Sequence, residues 1–313
     1  MRTPALALLV CGTLTALIAA AFAAESGPPA TPAAGPAAAE SKVAEYVYKK
    51  APQGELKMFV HFPRDWKASD KRPAIVFFFG GAWRQGSPEQ FRMQAEYLAT
   101  RGFVAARPDY RVASRHKTTP DAAVEDARSA IRWLRERAAE LGIDRDRLVG
   151  AGGSAGGHLA ACAALCDTPD APGEDTSVSC RPSALVLFNP VVDLRNLDLQ
   201  GWKAAEAPGS TLVEQLSPVV HMTRSLPPTI LFYGTEDKFL AQGRAMLAKA
   251  KELACRAELY TAAGMPHGFF NRPPWQEITL RQADAFLASL GYLKGEPTIP
   301  PPAGTALSLK KEP

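Results

Sequence analysis

Between residues 56 and 291, short apolar runs alternate with stretches of helical periodicity, and this alternation limits the folds open to the chain. The runs at 56–62, 74–79, 104–106, 148–150, 184–188, 229–233 and 258–260 read as strands. The run at 74–79 is unbroken Ala-Ile-Val-Phe-Phe-Phe, as suits a strand covered on both faces. Helices are expected at 90–100, 155–165 and 241–253, with a last one ending near Gly291. A longer helix opens at Pro120. Its apolar residues Val124, Ala127, Ile131, Leu134, Ala138 and Leu141 recur at steps of three and four before Gly142 ends it. Such alternation implies an α/β fold, a mainly parallel central sheet with helices on both faces. Ligands of such sheets gather at the carboxyl ends of the strands.

The two ends of the chain read differently. Arg2 precedes an apolar run at 6–21, and Ala21-Phe22-Ala23 supplies small residues for a peptidase. That order is expected of a secretory signal peptide over 1–23, which would send the protein to the periplasm or the medium. The competing reading is an uncleaved anchor, but the run is short for a membrane span, so no stable insertion is expected after cleavage. Cys11 follows Val10, where a lipoprotein signal needs a small residue. Residues 24–43 are rich in Pro and Ala and read as a flexible linker, leaving 44–293 as the folded domain. The stretch 294–313, with Pro297, Pro300, Pro301 and Pro302, reads as a disordered tail.

Past the signal, Cys162, Cys166, Cys180 and Cys255 remain, and none has C-x-x-C spacing. Cys162 and Cys166, four apart in a helix, read as small core residues. An oxidising compartment would allow a Cys166–Cys180 disulfide. The formal charge of +4 is spread without a basic block or a basic-aromatic pattern, which argues against nucleic acid as a partner.

The chemistry-bearing motifs fall at strand ends. Gly152-Gly153-Ser154-Ala155-Gly156 lies between the run at 148–150 and a helix. A nucleophile on so tight a strand-to-helix turn needs small neighbours, and the turn leaves the Ala155 amide free to face an oxyanion. A serine nucleophile needs a base. Of His61, His116, His158, His221 and His267, only His267 follows the last expected strand. His61, between Val60 and Phe62, is expected on the opposite, solvated face of its strand; His158 is carried off by its helix and reads as structural. For the carboxylate that orients the base, Asp237 after the strand at 229–233 is favoured, with Glu236 a near rival and Asp193 more distant. The order Ser, acid, His along the chain is that of α/β-hydrolases. Phe79-Gly80-Gly81-Ala82-Trp83 follows the most apolar strand and brings backbone amides where negative charge would develop.

With these residues in hand, the chain resembles the α/β-hydrolases of the acetyl esterase/lipase group, near the hormone-sensitive-lipase-like and bacterial feruloyl/acetylxylan esterase-like branches. The resemblance spans about 44–293 and rests on the loop Gly80–Trp83, on Asp109-Tyr110-Arg111, and on the motifs around Ser154, Asp237 and His267. It implies an α/β-hydrolase fold and a serine esterase with Ser154, Asp237 and His267 as its triad. Gly81, Ala82 and Ala155 would donate to the oxyanion, and Tyr110 and Arg111 would be structural. The family's His-Gly-Gly-Gly stands here as Phe79-Gly80-Gly81-Ala82, and the N-terminal cap of hormone-sensitive-lipase relatives is not expected. An open site is therefore expected. The chemistry requires neither metal nor organic cofactor.

Trp83 and Phe269 are expected to bind substrate, with Phe270, Trp202 and Trp275 as further aromatic candidates. The expected substrate is a short acyl ester, small or on a polysaccharide, and most simply an acetate on a sugar. The alternatives are a general lipolytic esterase, a serine peptidase of the same fold, and a non-catalytic hydrolase-like binding protein.

Overall fold

The central strands of this chain are apolar on both faces, and the middle of the sheet is buried on both sides accordingly. The computed structural model describes residues 42–195, 197, 202, 205, 207, 209–302 and 307–313. The expected signal peptide and most of the expected linker lie outside the described residues. Nine strands form one sheet: β1 Lys42–Ala51, β2 Gly54–Phe62, β3 Arg72–Phe78, β4 Val104–Pro108, β5 Ile143–Gly153, β6 Ala184–Phe188, β7 Thr229–Gly234, β8 Ala257–Ala262 and β9 Lys310–Lys311. Their order is β1-β2-β4-β3-β5-β6-β7-β8-β9. From β4 through β3 to β8 neighbours run parallel, while β1, β2 and β9 pair antiparallel at the edges.

The principal helices are α1 Arg92–Thr100, α2 Pro120–Glu136, α3 Ala155–Leu165, α4 Leu240–Glu252 and α5 Trp275–Ser289. Strand β3 shows how the two layers arise. Ile75 and Phe77 enter one core with Phe91, Phe188 and Phe270, whereas Val76 and Phe78 enter the other with Leu134 and Leu159. Successive side chains of a strand point to opposite faces, so an unbroken apolar run feeds both cores.

Helix α2 is shorter than its periodicity implied. It ends at Glu136, a single further turn follows, and Gly142 with φ of 62° stops it. Its polar side works on the loop after α3. Arg128 donates to the Cys166 carbonyl and pairs with Asp170, Arg132 pairs with Glu174, and Arg135 donates to the Ser179 carbonyl. These arginines hold the 166–181 loop across which an oxidising compartment would allow a disulfide, and Cys166 and Cys180 are both free, buried thiols.

Three expectations are corrected here. Strand β1 begins at Lys42, inside the expected linker, and pairs along its length with β2. Tyr48 is its one buried residue, which leaves almost no apolar signal in the sequence. The tail is not disordered where it is described: Ile299 and Leu309 pack on the β8 side of the core, β9 pairs with the free edge of β8, and Arg281 donates to the carbonyls of Pro297 and Ile299. An unpaired strand edge recruits such a segment whatever its proline content. Finally, His61 is 1% exposed rather than solvated. Helix α1 packs against β2 on this face, and Arg107 of the neighbouring β4 reaches across to the imidazole.

His61 Nε2 accepts a hydrogen bond from Arg107 Nε at 2.9 Å. Burial, aided by that guanidinium, lowers its pKa to about 4. His158 is fully buried in α3, and burial lowers it to about 4 against the pull of its bond to the Leu216 carbonyl. Both imidazoles are therefore neutral when folded, yet titrate near 6.5 when unfolded. The unfolded chain takes up protons between these values that the folded chain does not, so stability is complete above about pH 6.5 and falls below it. Carboxylates held low by ion pairs, such as Glu125 and Glu258, add their loss only below their ordinary 4.5. The thermal midpoint is thus expected to be lower at about pH 5 than at about pH 7.5, and the gap smaller in a His61→Gln/His158→Gln variant. Equal gaps in the two proteins, read by circular dichroism, would contradict the assignment.

Candidate active site

Strand β5 runs straight into Ser154, and α3 starts on the next residue. The turn is sharp enough that Ser154 has φ of 52° and ψ of −116°, outside the regions open to a residue with a Cβ at no cost. Its amide donates to the Phe188 carbonyl of β6 at 2.9 Å. On the other side, a Cβ on Gly156 would lie 2.0 Å from the Phe78 carbonyl oxygen, so only glycine lets α3 start so close to β3. The serine is thus held by the strands on both sides of β5.

His267 lies in the loop after β8 and meets Ser154 directly. The Ser154 hydroxyl donates to Nε2 at 2.8 Å, and Nδ1–H donates to Asp237 Oδ2 at 2.8 Å. The Asp237 side chain is wholly buried, and its other oxygen accepts the Phe239 amide at 2.8 Å. An acceptor fixed on Nδ1 dictates the tautomer and leaves Nε2 free to take a proton from the serine. Glu236 is exposed and does not line the cleft, and Asp193 is paired with Arg195 at 2.7 Å. The other histidines are occupied: His116 Nδ1 accepts the Val112 amide, and His158 and His221 bond the carbonyls of Leu216 and Glu214.

The loop after β3 faces Ser154 across a cleft of about 560 Å³. Gly81, Ala82 and Trp83 all have positive φ, at 125°, 54° and 57°. A Cβ on Gly81 would lie 2.1 Å from the Gln85 carbonyl oxygen, so this tight turn excludes other residues. The amides of Arg84 and Gln85 both bond the Gly81 carbonyl. No acceptor among the described residues takes the amides of Gly81 and Ala82, and both residues line the cleft beside Ala155. Tyr110 supports the loop from beneath, donating to the Phe79 carbonyl at 2.6 Å and stacking on the Phe79 ring. Arg111 forms a buried pair with Asp126 away from the cleft.

The structure places the expected aromatic residues differently from one another. Trp83 lines the cleft, with its ring edge-on to His158. Phe269 does not: it is buried against Trp275, and its neighbour Phe270 faces the cleft instead. The short helical turn Phe269–Asn271 reverses which of the pair points inward, a register no sequence pattern reveals. Trp202 and Trp275 are buried and do not line the cleft.

Two residues of the site had not been singled out. Phe239 meets His267 edge-on at 5.2 Å. Asn189, fully buried at the end of β6, accepts the Gly268 amide through Oδ1 at 3.1 Å, which turns its NH₂ toward His267 Nε2 at 3.4 Å. Its place just past an apolar strand, on the edge that carries Ser154 and Asp237, was the available signal.

A hydrogen-bonded serine-histidine-aspartate series at the carboxyl edge of a mainly parallel sheet, its serine and histidine reaching the cleft and its aspartate buried, defines the class as an α/β-hydrolase. Residues 60–251 match the BD-FAE family, and the chain belongs to this family of α/β-hydrolase esterases. Among solved structures it is similar to esterase 2 of Thermogutta terrifontis phosphorylated by paraoxon, at 43% identity and TM-score 0.75, covering 81% of this chain and 96% of that one. It is 28% identical over 237 residues to Esterase LipC of Mycobacterium tuberculosis, covering 65% of this chain and 56% of LipC. Carboxylesterase NlhH of the same organism is 30% identical, with 65% of each chain covered. The chain spans about half to two thirds of the length of these curated relatives.

The strain at Ser154 can be measured. Ser154→Ala keeps the Cβ and the strain, whereas Ser154→Gly removes both. The glycine variant is expected to melt roughly 2–4 °C above the alanine variant, about 1 kcal/mol, despite its more flexible unfolded chain. A glycine variant that melts below the alanine variant would mean that the elbow stores no strain.

Proposed function

We propose that this chain is a carboxylic ester hydrolase acting through an acyl-enzyme on Ser154. The observation that carries this reading is the unbroken hydrogen-bonded series from Ser154 Oγ through His267 to the buried Asp237 carboxylate. His267 Nε2 takes the Ser154 proton as Oγ attacks the ester carbonyl, and Asp237 stabilises the imidazolium that forms. The Gly81, Ala82 and Ala155 amides receive the oxyanion. A preorganised donor of this kind contributes about 3 kcal/mol to the barrier reduction. The imidazolium returns its proton to the departing alkoxide, and water then repeats the sequence to release the acid. Every step is proton transfer and acyl transfer within this set of groups.

The substrate reading is a short acyl ester, most simply an acetate on a sugar or similarly polar alcohol. Trp83 and the half-buried Phe239 stand in the lining of the cleft, and aromatic rings of this kind suit the apolar faces of sugars. The similar Thermogutta terrifontis esterase 2 has been solved with propionate and with butyrate bound, which supports a short acyl pocket. Export to the periplasm or medium, read from the apolar run at 6–21, would put the enzyme among extracellular esters.

Ser154→Ala is expected to abolish turnover of p-nitrophenyl acetate. Asp237→Asn should lower kcat by about 10³–10⁴-fold through the wrong histidine tautomer, while Glu236→Gln should leave it nearly intact. Retained turnover in Ser154→Ala, or reversed effects of the two acids, would overturn the residue assignment. For substrate, kcat/KM is expected to fall from acetate and butyrate to octanoate, with acetate released from acetylated xylan. A preference for octanoate with no release from acetylated sugars would leave a general lipolytic esterase.

A further inference from the structure

The cleft around Ser154 carries two cations and, among the described residues, no anion. Arg84 stands just past the loop after β3, and Lys238 just past Asp237, after β7. They therefore approach Ser154 from different strand ends. Both are exposed, and neither forms an ion pair or side-chain hydrogen bond with the described residues. The one described contact of either side chain is that of Lys238 Nζ over the Phe239 ring, 4.9 Å from its centre.

Cations elsewhere in the chain divide into paired and unpaired ones, and Arg64, Arg145, Arg224 and Arg272 have no described carboxylate partner either, but none of these four lines the cleft. Arg101, Arg111, Arg115, Arg128 and Arg132 each hold a carboxylate within 3 Å. Among the described residues, three carboxylates close in sequence to the site residues do not reach Arg84 or Lys238. Asp237 is buried beneath His267, Asp193 is held by Arg195, and Glu236 does not line the cleft. Its other polar side chains include the neutral amides of Gln85, Gln90, Asn189 and Asn271.

Unpaired charges of one sign around a cleft walled by low-dielectric aromatic rings focus the field into it and raise the local concentration of the opposite charge. The planar fork of an arginine also matches a carboxylate in shape. We infer that the ester taken by this cleft carries a negative charge, a carboxylate on its alcohol half or its acyl half, met by Arg84 and Lys238. This rests on the reading of Ser154 as the esterase nucleophile, and it narrows the polar alcohol or acid to an acidic one. The chemistry is unchanged: water cleaves the ester, and the carboxylate leaves with whichever product bears it.

Two pairs of esters test this. Against its neutral methyl ester, 4-acetoxybenzoate puts the carboxylate on the alcohol half. Against p-nitrophenyl butyrate, p-nitrophenyl hemisuccinate puts it on the acyl half. The wild type is expected to favour the charged member of one pair by about tenfold in kcat/KM, and the pair that responds identifies the half. In Arg84→Gln/Lys238→Gln that ratio should fall to near unity, and high salt should shrink it in the wild type. Equal preference in the wild type overturns the inference. So does a double variant that lowers both members of each pair alike, because the cations would then serve the developing oxyanion rather than the substrate's own charge. Turnover of none of the four esters by the wild type would contradict the esterase reading itself, and this inference with it.

Discussion

Ser154 is held in a backbone conformation that its own side chain disfavours, and the surrounding sheet is what keeps it there. The Phe188 carbonyl of β6 takes its amide, and the carbonyl of Phe78 on β3 lies so near α3 that Gly156 admits no side chain. Both are strands buried on two faces, with neighbours packed at crystal-like density that cannot easily yield. Strain of about 1–3 kcal/mol at one residue persists only when its surroundings over-determine it. The two apolar cores on either face of the sheet therefore do more than stabilise the domain. They fix the direction in which one hydroxyl points.

From that fixed point the other loops are tied in by polar links. Gln90 accepts the Gly80 amide and donates to Asn271, whose own amide donates to the Gly268 carbonyl, so the oxyanion-side loop and the histidine loop share one chain of hydrogen bonds. Asn189 ties the same histidine loop to the end of β6. With each amide oriented by its partners, the loops have little freedom to drift apart, and a site assembled before substrate arrives needs little reorganisation during reaction.

Much of this was legible in the sequence, and what was not has physical reasons. The unbroken apolar run of β3 and the small residues around Ser154 announce a buried strand and a tight turn, because no other residue types meet those demands. His267 and Asp237 follow from lying just past strands whose apolar runs mark where the carboxyl edge must be. Strand β1 escaped notice because an edge strand with one buried residue has no apolar period. His61 was misplaced because what covers its face of β2, helix α1 and the Arg107 side chain, comes from residues some thirty or more positions later. The exchange of Phe269 for Phe270 in the cleft turns on a single helical turn, below the resolution of any periodicity. Docking of the tail depends on a free β8 edge contributed by residues some fifty positions earlier.

The central claim is that Ser154 is a nucleophile activated by His267, and covalent trapping tests it most directly. After incubation with paraoxon, peptide mass mapping is expected to find one diethylphosphoryl group, on the peptide that contains Ser154, appearing in step with the loss of ester hydrolysis and absent in His267→Ala. Protein that remains unlabelled, or a label on another serine while Ser154 stays free, would contradict the account.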